Sequence, residues 1–304
     1  MAMFQQIATH YGFVVDNDST GQAFNSLNTL QGYDVIVFAN TSGDSILDAI
    51  QKQNLEQFIS GQKGFIGIHA ASDTYRHSTA NGTSTGGWDW YAEMLGASVQ
   101  QNPSHVNGTP VYRIDEITQH ILLDSIPSPW YKAEEYYYWE GGYFDSSNIV
   151  LQKVEQTVGP NSLVNSYDSA RAMTWYRILP GGSRIFYTSL GHDVSNYTGD
   201  TTFYKLLRNA VFWVSGRTLS VPVVSEVLMF SVNPNPVKDR LIVTCIPFSM
   251  PGVLKVFTVE GRELGSWKCE TAKTEINLVA YAPGIYFVEL DAGGLKRQVK
   301  IAKE

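Results

Sequence analysis

The chain has 304 residues, of which 43% are hydrophobic, 12% aromatic and 17% charged, with a formal net charge of −7. This length allows two domains, and the hydrophobic share excludes a disordered chain, a coiled coil or a collagen. The negative charge argues against a nucleic-acid partner, which needs a basic face, and no apolar run approaches the roughly 20 residues of a transmembrane segment.

The first two hundred residues alternate strand and helix signals. Residues 34–38 and 64–69 are largely apolar runs, typical of strands buried on both faces of a parallel sheet. Between them, apolar residues recur every three or four positions over 45–60, which predicts a helix that Gly61 ends. Further strands are predicted at 110–114, 149–154, 171–178 and 184–189, and a closing helix at 201–214. The order strand, helix, strand predicts an α/β fold built on an open parallel sheet.

The pattern changes at residues 217–225, an extended polar stretch that we interpret as a linker between two domains, 1–216 and 226–304. From residue 226 onwards, short alternating strands are separated by turn residues. This spacing predicts a small all-β sandwich. The charge balance of the two domains differs as well. Residues 217–304 carry 11 basic and 9 acidic side chains, whereas residues 1–216 carry 11 basic and 20 acidic ones.

Seven short motifs of the first domain share their order and spacing with one known family. They are Gly67-Ile68-His69-Ala70-Ala71-Ser72-Asp73, Trp88 to Tyr91, Leu95-Gly96-Ala97, Glu135-Tyr136, Trp175-Tyr176, Gly182 to His192, and Trp213-Val214-Ser215-Gly216. Together they resemble the ThuA-like family, named for trehalose utilisation, over about residues 1–216. The resemblance implies a fold similar to class I glutamine amidotransferases, with a flavodoxin-like open parallel sheet. Family members usually begin with a strand that has no counterpart here, so the resemblance also implies a missing first strand.

The C-terminal domain carries a second set of motifs. They are Asn233-Pro234-Asn235-Pro236-Val237, Asp239-Arg240-Leu241, Tyr281-Ala282-Pro283-Gly284-Ile285-Tyr286 and Val299-Lys300-Ile301. They resemble the sorting domain of type IX secretion substrates from Bacteroidetes. The resemblance implies that residues 226–304 engage the type IX secretion machinery, and that the protein is secreted or attached to the outer-membrane surface. No signal peptide is visible, because Met1 leads directly into a helix-like segment.

Two histidines follow predicted buried strands: His69 ends one run, and His192 follows the strand at 184–189. Ligands bind at the carboxyl ends of strands in open α/β sheets, so the two rings converge on one crevice if their strands are neighbours. Each ring then serves as an acid, a base or a metal ligand, or is simply hydrogen-bonded at a strand end. No cysteine precedes Cys245, which excludes the thiol-dependent amide hydrolysis of amidotransferases for this domain.

Three carboxylates are candidates to complete a group with these histidines, namely Asp73, Glu135 and Asp193. They would make either an acid/base group or a site for a divalent metal such as zinc, with His69 and His192 as ligands. No closely spaced zinc motif is present, and Asp73 and Asp193 are equally typical of a helix N-cap and a turn. The sequence therefore leaves the cofactor open.

Residues 130–144 hold eight aromatic side chains in fifteen positions. Aromatic rings pack against sugars, so the stretch predicts either a carbohydrate cleft or a loop whose rings cover the core. In an extended segment Glu134 and Glu135 point to opposite faces, and the family resemblance selects Glu135. The rings expected to face the sugar are those of Trp88, Tyr136, Trp175 and Tyr187. The histidines interpreted as ordinary surface or loop residues are His10, His105 and His120.

Two functions fit these features. The first is a secreted enzyme that cleaves a modified or keto-sugar by hydrolysis or by elimination. Its catalytic groups would be His69, His192, Glu135 and Asp73. The second is a non-catalytic carbohydrate-binding or cell-surface protein with the same fold. The paired strand-end histidines favour the first function, and the small number of evident catalytic residues favours the second.

Overall fold

The computed structural model describes residues 2–80, 87–217, 229–246, 252–269, 271–292 and 295–304. The chain divides into two compact units, Met1–Leu219 and Ser220–Glu304. The predicted linker at 217–225 lies outside the described residues except for Arg217. Within the described ranges, no helix combines the length and apolarity needed to cross a membrane.

The first unit alternates helices with strands, as its sequence predicts. Its α-helices are α1 (Ala2–Tyr11), α2 (Leu27–Gln31), α3 (Ala49–Ser60), α4 (Asp89–Leu95), α5 (Ser195–Thr198) and α6 (Thr201–Val214). Its strands are β1 (Val35–Ala39), β2 (Gly64–Ile68), β3 (Ala97–Ser98), β4 (Val111–Glu116), β5 (Trp130–Ala133), β6 (Tyr143–Phe144), β7 (Ile149–Val154), β8 (Arg171–Ile178) and β9 (Arg184–Thr188).

Seven of these strands form one mixed sheet in the order β1-β2-β9-β8-β7-β4-β5. Strands β1, β2 and β9 are parallel, and the remaining neighbours are antiparallel. Every residue of β2 is buried, which is why its sequence is a continuous run rather than an alternating one. The predicted α/β fold is confirmed, although the sheet is mixed and is parallel only over β1, β2 and β9. Its parallel end places the carboxyl ends of β2 and β9 side by side, with Ile68 opposite Thr188.

Helix α3 begins four residues later than the apolar spacing predicts. The Asp48 side chain accepts hydrogen bonds from the backbone N–H groups of Ile50 and Gln51, and the Gln51 side chain accepts one from the Asp48 N–H. This capping box satisfies N–H groups of the first turn that have no partner within the helix, and it therefore sets the start of α3 at Ala49. Helix α6 coincides with its prediction and is capped by Asp200.

The second unit contains only strands among its described residues. They are β10 (Met229–Asn233), β11 (Arg240–Ile246), β12 (Gly252–Thr258), β13 (Glu263–Cys269), β14 (Lys273–Asn277), β15 (Gly284–Ala292) and β16 (Leu295–Lys303). They form two antiparallel sheets, β10-β11-β14 and β13-β12-β15-β16. Side chains of both sheets, such as Val243 and Val256, share one buried core. This is the all-β architecture that the turn spacing predicts.

Candidate active site at the carboxyl edge of the sheet

His69 follows β2 directly and is almost completely buried, with 3% exposure. Its φ of +49° lies in the left-handed region, which is uncommon for a residue with a side chain. The hydroxyl of Tyr187 donates to the His69 carbonyl at 2.7 Å, and His69 Nδ1 donates to the Ser189 carbonyl, also at 2.7 Å. Because that carbonyl only accepts, a neutral His69 carries its lone pair on Nε2.

His192 lies beyond β9, after Gly191. Gly191 has a φ of +114°, and a Cβ at this position would lie 2.7 Å from the hydroxyl oxygen of Tyr197. Glycine is therefore required for the turn that leads into His192. The turn brings His192 Nδ1 to 3.2 Å from His69 Nε2. The His192 side chain is 42% exposed, so this side of the pair opens to solvent.

Glu135, one of the three carboxylate candidates, reaches the two histidines through a long-range contact. It follows the edge strand β5, at the opposite end of the sheet from β2 and β9. Beyond β5 the chain runs antiparallel to residues 104–110, and the amides of Val106 and Tyr138 donate to the carbonyls of Tyr136 and Ser104. This pairing carries the Glu135 carboxylate over the carboxyl edge of the sheet.

His69, Glu135 and His192 together form what we call the edge cluster. Glu135 Oε2 lies 3.1 Å from His69 Nε2 and 3.4 Å from His192 Nδ1. Burial acts to raise the pKa of Glu135, but its close contact with His69 and the other nearby imidazoles outweigh it and leave the pKa below its ordinary value. Glu135 is therefore ionised at neutral pH.

Two further residues touch the edge cluster and were not among the predicted site residues. His105 Nε2 lies 3.1 Å from Glu135 Oε1, although His105 was expected to be an ordinary loop residue. The Tyr137 hydroxyl lies 2.9 Å from His69 Nε2, and its ring stacks on His69 at 4.6 Å between centroids. Burial raises the pKa of Tyr137, so its hydroxyl remains a proton donor. Only their loop-to-loop pairing brings these residues to the cluster.

Glu134 points away from the cluster and fixes its backbone instead. The side chain is 1% exposed, and its two oxygens accept the amide N–H groups of Gly191 at 2.7 Å and His192 at 2.9 Å. The expectation that neighbouring glutamates face opposite sides agrees with this geometry. Glu134 thus acts as a positioning residue for His192.

The rings expected to face a sugar are packed in the core, which corrects that interpretation. Tyr136, Trp175 and Tyr187 are 0% exposed. Their polar atoms donate to backbone carbonyls: the Tyr136 hydroxyl to Lys132, Trp175 Nε1 to Leu95, and the Tyr187 hydroxyl to His69. Hydrophobic burial outweighs solvent exposure for rings of this size, so no ring face remains for a ligand.

Trp88 and the two aspartates lie outside the edge cluster. Trp88 stacks on Trp90 with centroids 5.0 Å apart, and its Nε1 donates to Glu56 of α3 at 2.7 Å. Asp73 pairs with Arg76 and accepts from Ser42 Oγ at 2.5 Å, so it is neither a cluster member nor a helix N-cap. Asp193 accepts the Ser195 amide at 2.7 Å and serves as a turn former.

A groove of about 590 Å³ lies beside the aromatic segment rather than at the edge cluster. Its lining includes Trp139, Glu140, Tyr143, Phe144 and Lys153, and no cluster residue is among the described residues that line it. Tyr143 and Phe144 are half-buried, so part of each ring stays accessible. The groove and the cluster are therefore separate candidate sites.

Comparison with family models matches residues 1–214 to ThuA, described as trehalose utilisation, and residues 231–304 to a secretion system C-terminal sorting domain. No curated protein matches the chain significantly. Among solved structures, the cytoplasmic protein STM3548 from Salmonella typhimurium is 11% identical, with a TM-score of 0.48 over 69% of this chain and 85% of its own. The cytoplasmic protein STM1381 from Salmonella typhimurium LT2 is also 11% identical, with a TM-score of 0.47 over 70% of this chain and 84% of its own.

Latent PorU from Porphyromonas gingivalis is 19% identical over 24% of this chain and 9% of its own, with a TM-score of 0.20. The matched sorting domain implies contact with the type IX secretion machinery, and export to the cell surface or beyond it. Because the first family model spans more than two thirds of the sequence, the chain belongs to the ThuA trehalose-utilisation family and carries a C-terminal secretion-sorting domain.

Proposed function

We propose that the ThuA unit is a carbohydrate-processing enzyme of the hydrolase or lyase type, acting on a modified or keto-sugar outside the cytoplasm. The observation that carries this proposal is the edge cluster, in which a carboxylate oxygen and two imidazole nitrogens meet within 3.1–3.4 Å of one another. Partial exposure of His192 gives a substrate access to them. The sugar class is supported by the family description, trehalose utilisation.

The cluster offers proton acceptors and donors side by side, as acid–base chemistry requires. The ionised Glu135 and the Nε2 lone pair of His69 accept protons, while the Tyr137 hydroxyl donates. In a keto-sugar, the C–H bond beside the carbonyl is acidic. Removing that proton turns the C–H electron pair into a C=C bond and expels the glycosidic oxygen of the next carbon. The oxygen leaves with the C–O electron pair and takes a proton from a cluster donor.

This function is tested by assaying the purified full chain against a panel of keto-disaccharides and common glycosides. We expect turnover of at least one keto-disaccharide, and a loss of about 10²–10⁴-fold in kcat for Glu135→Gln, the range that acid–base groups supply. Glu93→Gln, which alters an exposed carboxylate outside both the cluster and the groove, is the matched control and should retain full activity. Absence of turnover across the panel, or unchanged kcat in Glu135→Gln, would refute the proposal.

A second candidate function, carbohydrate binding without turnover, is favoured by the separate groove. Its accessible rings, Tyr143 and Phe144, lie beside Glu140 and Lys153, which supply hydrogen-bonding groups for hydroxyls. Binding of a sugar that is weakened by Tyr143→Ala and unaffected by Glu135→Gln, in a chain without turnover, would favour this function over the enzyme.

A further inference from the structure

The three nearest polar atoms of the edge cluster form an almost equilateral triangle. Its sides are 3.1 Å from His69 Nε2 to Glu135 Oε2, 3.2 Å from His69 Nε2 to His192 Nδ1, and 3.4 Å from His192 Nδ1 to Glu135 Oε2. A tetrahedral zinc ion with ligands at 2.0–2.1 Å has its ligand atoms about 3.4 Å apart. The spacing of the triangle therefore matches one face of such a tetrahedron.

We propose that the edge cluster binds one divalent transition-metal ion, with His69 Nε2, Glu135 Oε2 and His192 Nδ1 as its three protein ligands. An ion about 2.05 Å from each atom would lie about 0.8 Å out of their plane. No large rearrangement is needed to reach that geometry. The fourth coordination position faces away from the triangle, and the exposure of His192 leaves it open to water or substrate.

The surroundings of the ligands agree with a metal site. Metal-binding histidines usually donate their other ring N–H to a carbonyl or carboxylate, which fixes the tautomer. His69 has this arrangement, because Nδ1 donates to the Ser189 carbonyl and directs the Nε2 lone pair at the triangle. The other oxygen of Glu135 has an outer contact as well, because His105 Nε2 lies 3.1 Å from it. His105 is thus an outer partner of the site.

The donor set selects the class of metal. Two imidazoles with one carboxylate suit zinc and the neighbouring first-row ions, whereas calcium and magnesium prefer oxygen ligands throughout. An open fourth position is the feature that separates catalytic from structural zinc sites. This inference deepens the proposed function and rests on it for its chemical role, because a bound divalent ion would act as a Lewis acid on the carbonyl of a keto-sugar. With the ion bound, His69 Nε2 and Glu135 Oε2 would be its ligands rather than proton acceptors, so proton transfer would involve groups outside the triangle.

The test uses the purified full chain, freed of metal by a chelator and titrated with Co²⁺, whose visible absorption reports four-coordinate binding. We expect one Co²⁺ per chain, displaced by Zn²⁺. Glu135→Gln and His192→Ala should each lower the Co²⁺ affinity at least 100-fold, because ligand loss exceeds the 10- to 100-fold effect of an outer partner. His105→Ala should fall within that smaller range. His10→Ala, which removes an exposed imidazole of α1, should bind as the wild type does.

Near-ultraviolet circular dichroism establishes whether each variant is folded before its affinity is compared. The metal site is overturned if the wild type binds Co²⁺ no more tightly than His192→Ala, whether or not it turns over a sugar. Turnover by the chelated chain without Co²⁺ binding would overturn the metal site and leave the proposed enzyme intact. Stoichiometric Co²⁺ binding without turnover of any sugar would support the metal site and refute the enzyme.

Discussion

Glu134→Gln is the most informative single substitution, because it keeps the size of the side chain and removes its charge and one acceptor. The carboxylate is buried and accepts three backbone N–H groups, from Gly191 at 2.7 Å, from His192 at 2.9 Å and from Glu135 at 3.1 Å. A glutamine amide has one oxygen and one NH₂ group, so it cannot accept the Gly191 and His192 N–H groups on two separate oxygens. One of these two N–H groups then faces the NH₂ group, which is itself a donor.

The cost follows from these contacts. Leaving a buried donor unsatisfied costs about 1–3 kcal/mol, and the remaining hydrogen bond loses its charge assistance. We therefore expect Glu134→Gln to lower the free energy of unfolding of the ThuA unit by about 2–4 kcal/mol. Because both amides belong to the turn that positions His192, the same variant should weaken Co²⁺ binding by about 10- to 100-fold, as loss of an outer partner does.

Urea unfolding followed by tryptophan fluorescence measures this change in the first unit. Trp267 is the only tryptophan in residues 217–304, so six of the 7 report on residues 1–216. Glu140→Gln is the control, because Glu140 is exposed and should change stability by no more than about 0.5 kcal/mol. If Glu134→Gln unfolds with the same free energy as Glu140→Gln, the positioning role of Glu134 is refuted.

Two further predictions concern pH and export. Burial acts to raise the pKa of Asp168, but hydrogen bonds from Tyr138, Asn165 and Thr157 outweigh it and hold the folded-state pKa below the ordinary 3.8. The ionised Asp168 therefore stabilises the fold above about pH 4, and this stabilisation is lost as the pH falls through the folded value. Urea unfolding at pH 6 and pH 3 should show a difference between wild type and Asp168→Asn that shrinks at pH 3; a constant difference would contradict the assignment. Deleting residues 226–304 should leave the protein in the periplasm, as fractionation would show, whereas normal export would refute the sorting role.

Much of the architecture was predictable because it depends on local pattern. The continuous apolar runs of β1 and β2 and the three- and four-residue spacing of α6 are each read within one element. The exact start of α3 was not predictable in this way, because the Asp48 cap determines where the helix begins and outweighs the apolar periodicity. The positions of His69 and His192 after buried strands follow from the same local reasoning.

The outer parts of the candidate site were not predictable in this way. His105, Tyr137 and the carboxylate of Glu135 meet only because residues 134–138 pair with residues 104–110 over the sheet edge. No periodicity in either loop signals that pairing. The aromatic rings were misjudged for a related reason, since a tryptophan such as Trp175 has the same sequence signal whether it faces a ligand or the core.

By itself the sequence determined the class of each unit, the order of helices and strands, the family resemblances and the strand-end positions of the two histidines. Only the tertiary structure decided which carboxylate joins them, that Glu134 accepts the backbone N–H of His192, and that Trp175 and Tyr187 are core residues. The physical reason is one of range. Backbone propensity and hydrophobic periodicity act over a few residues, whereas a cluster with sides of 3.1–3.4 Å is set by contacts between segments 57 to 123 positions apart.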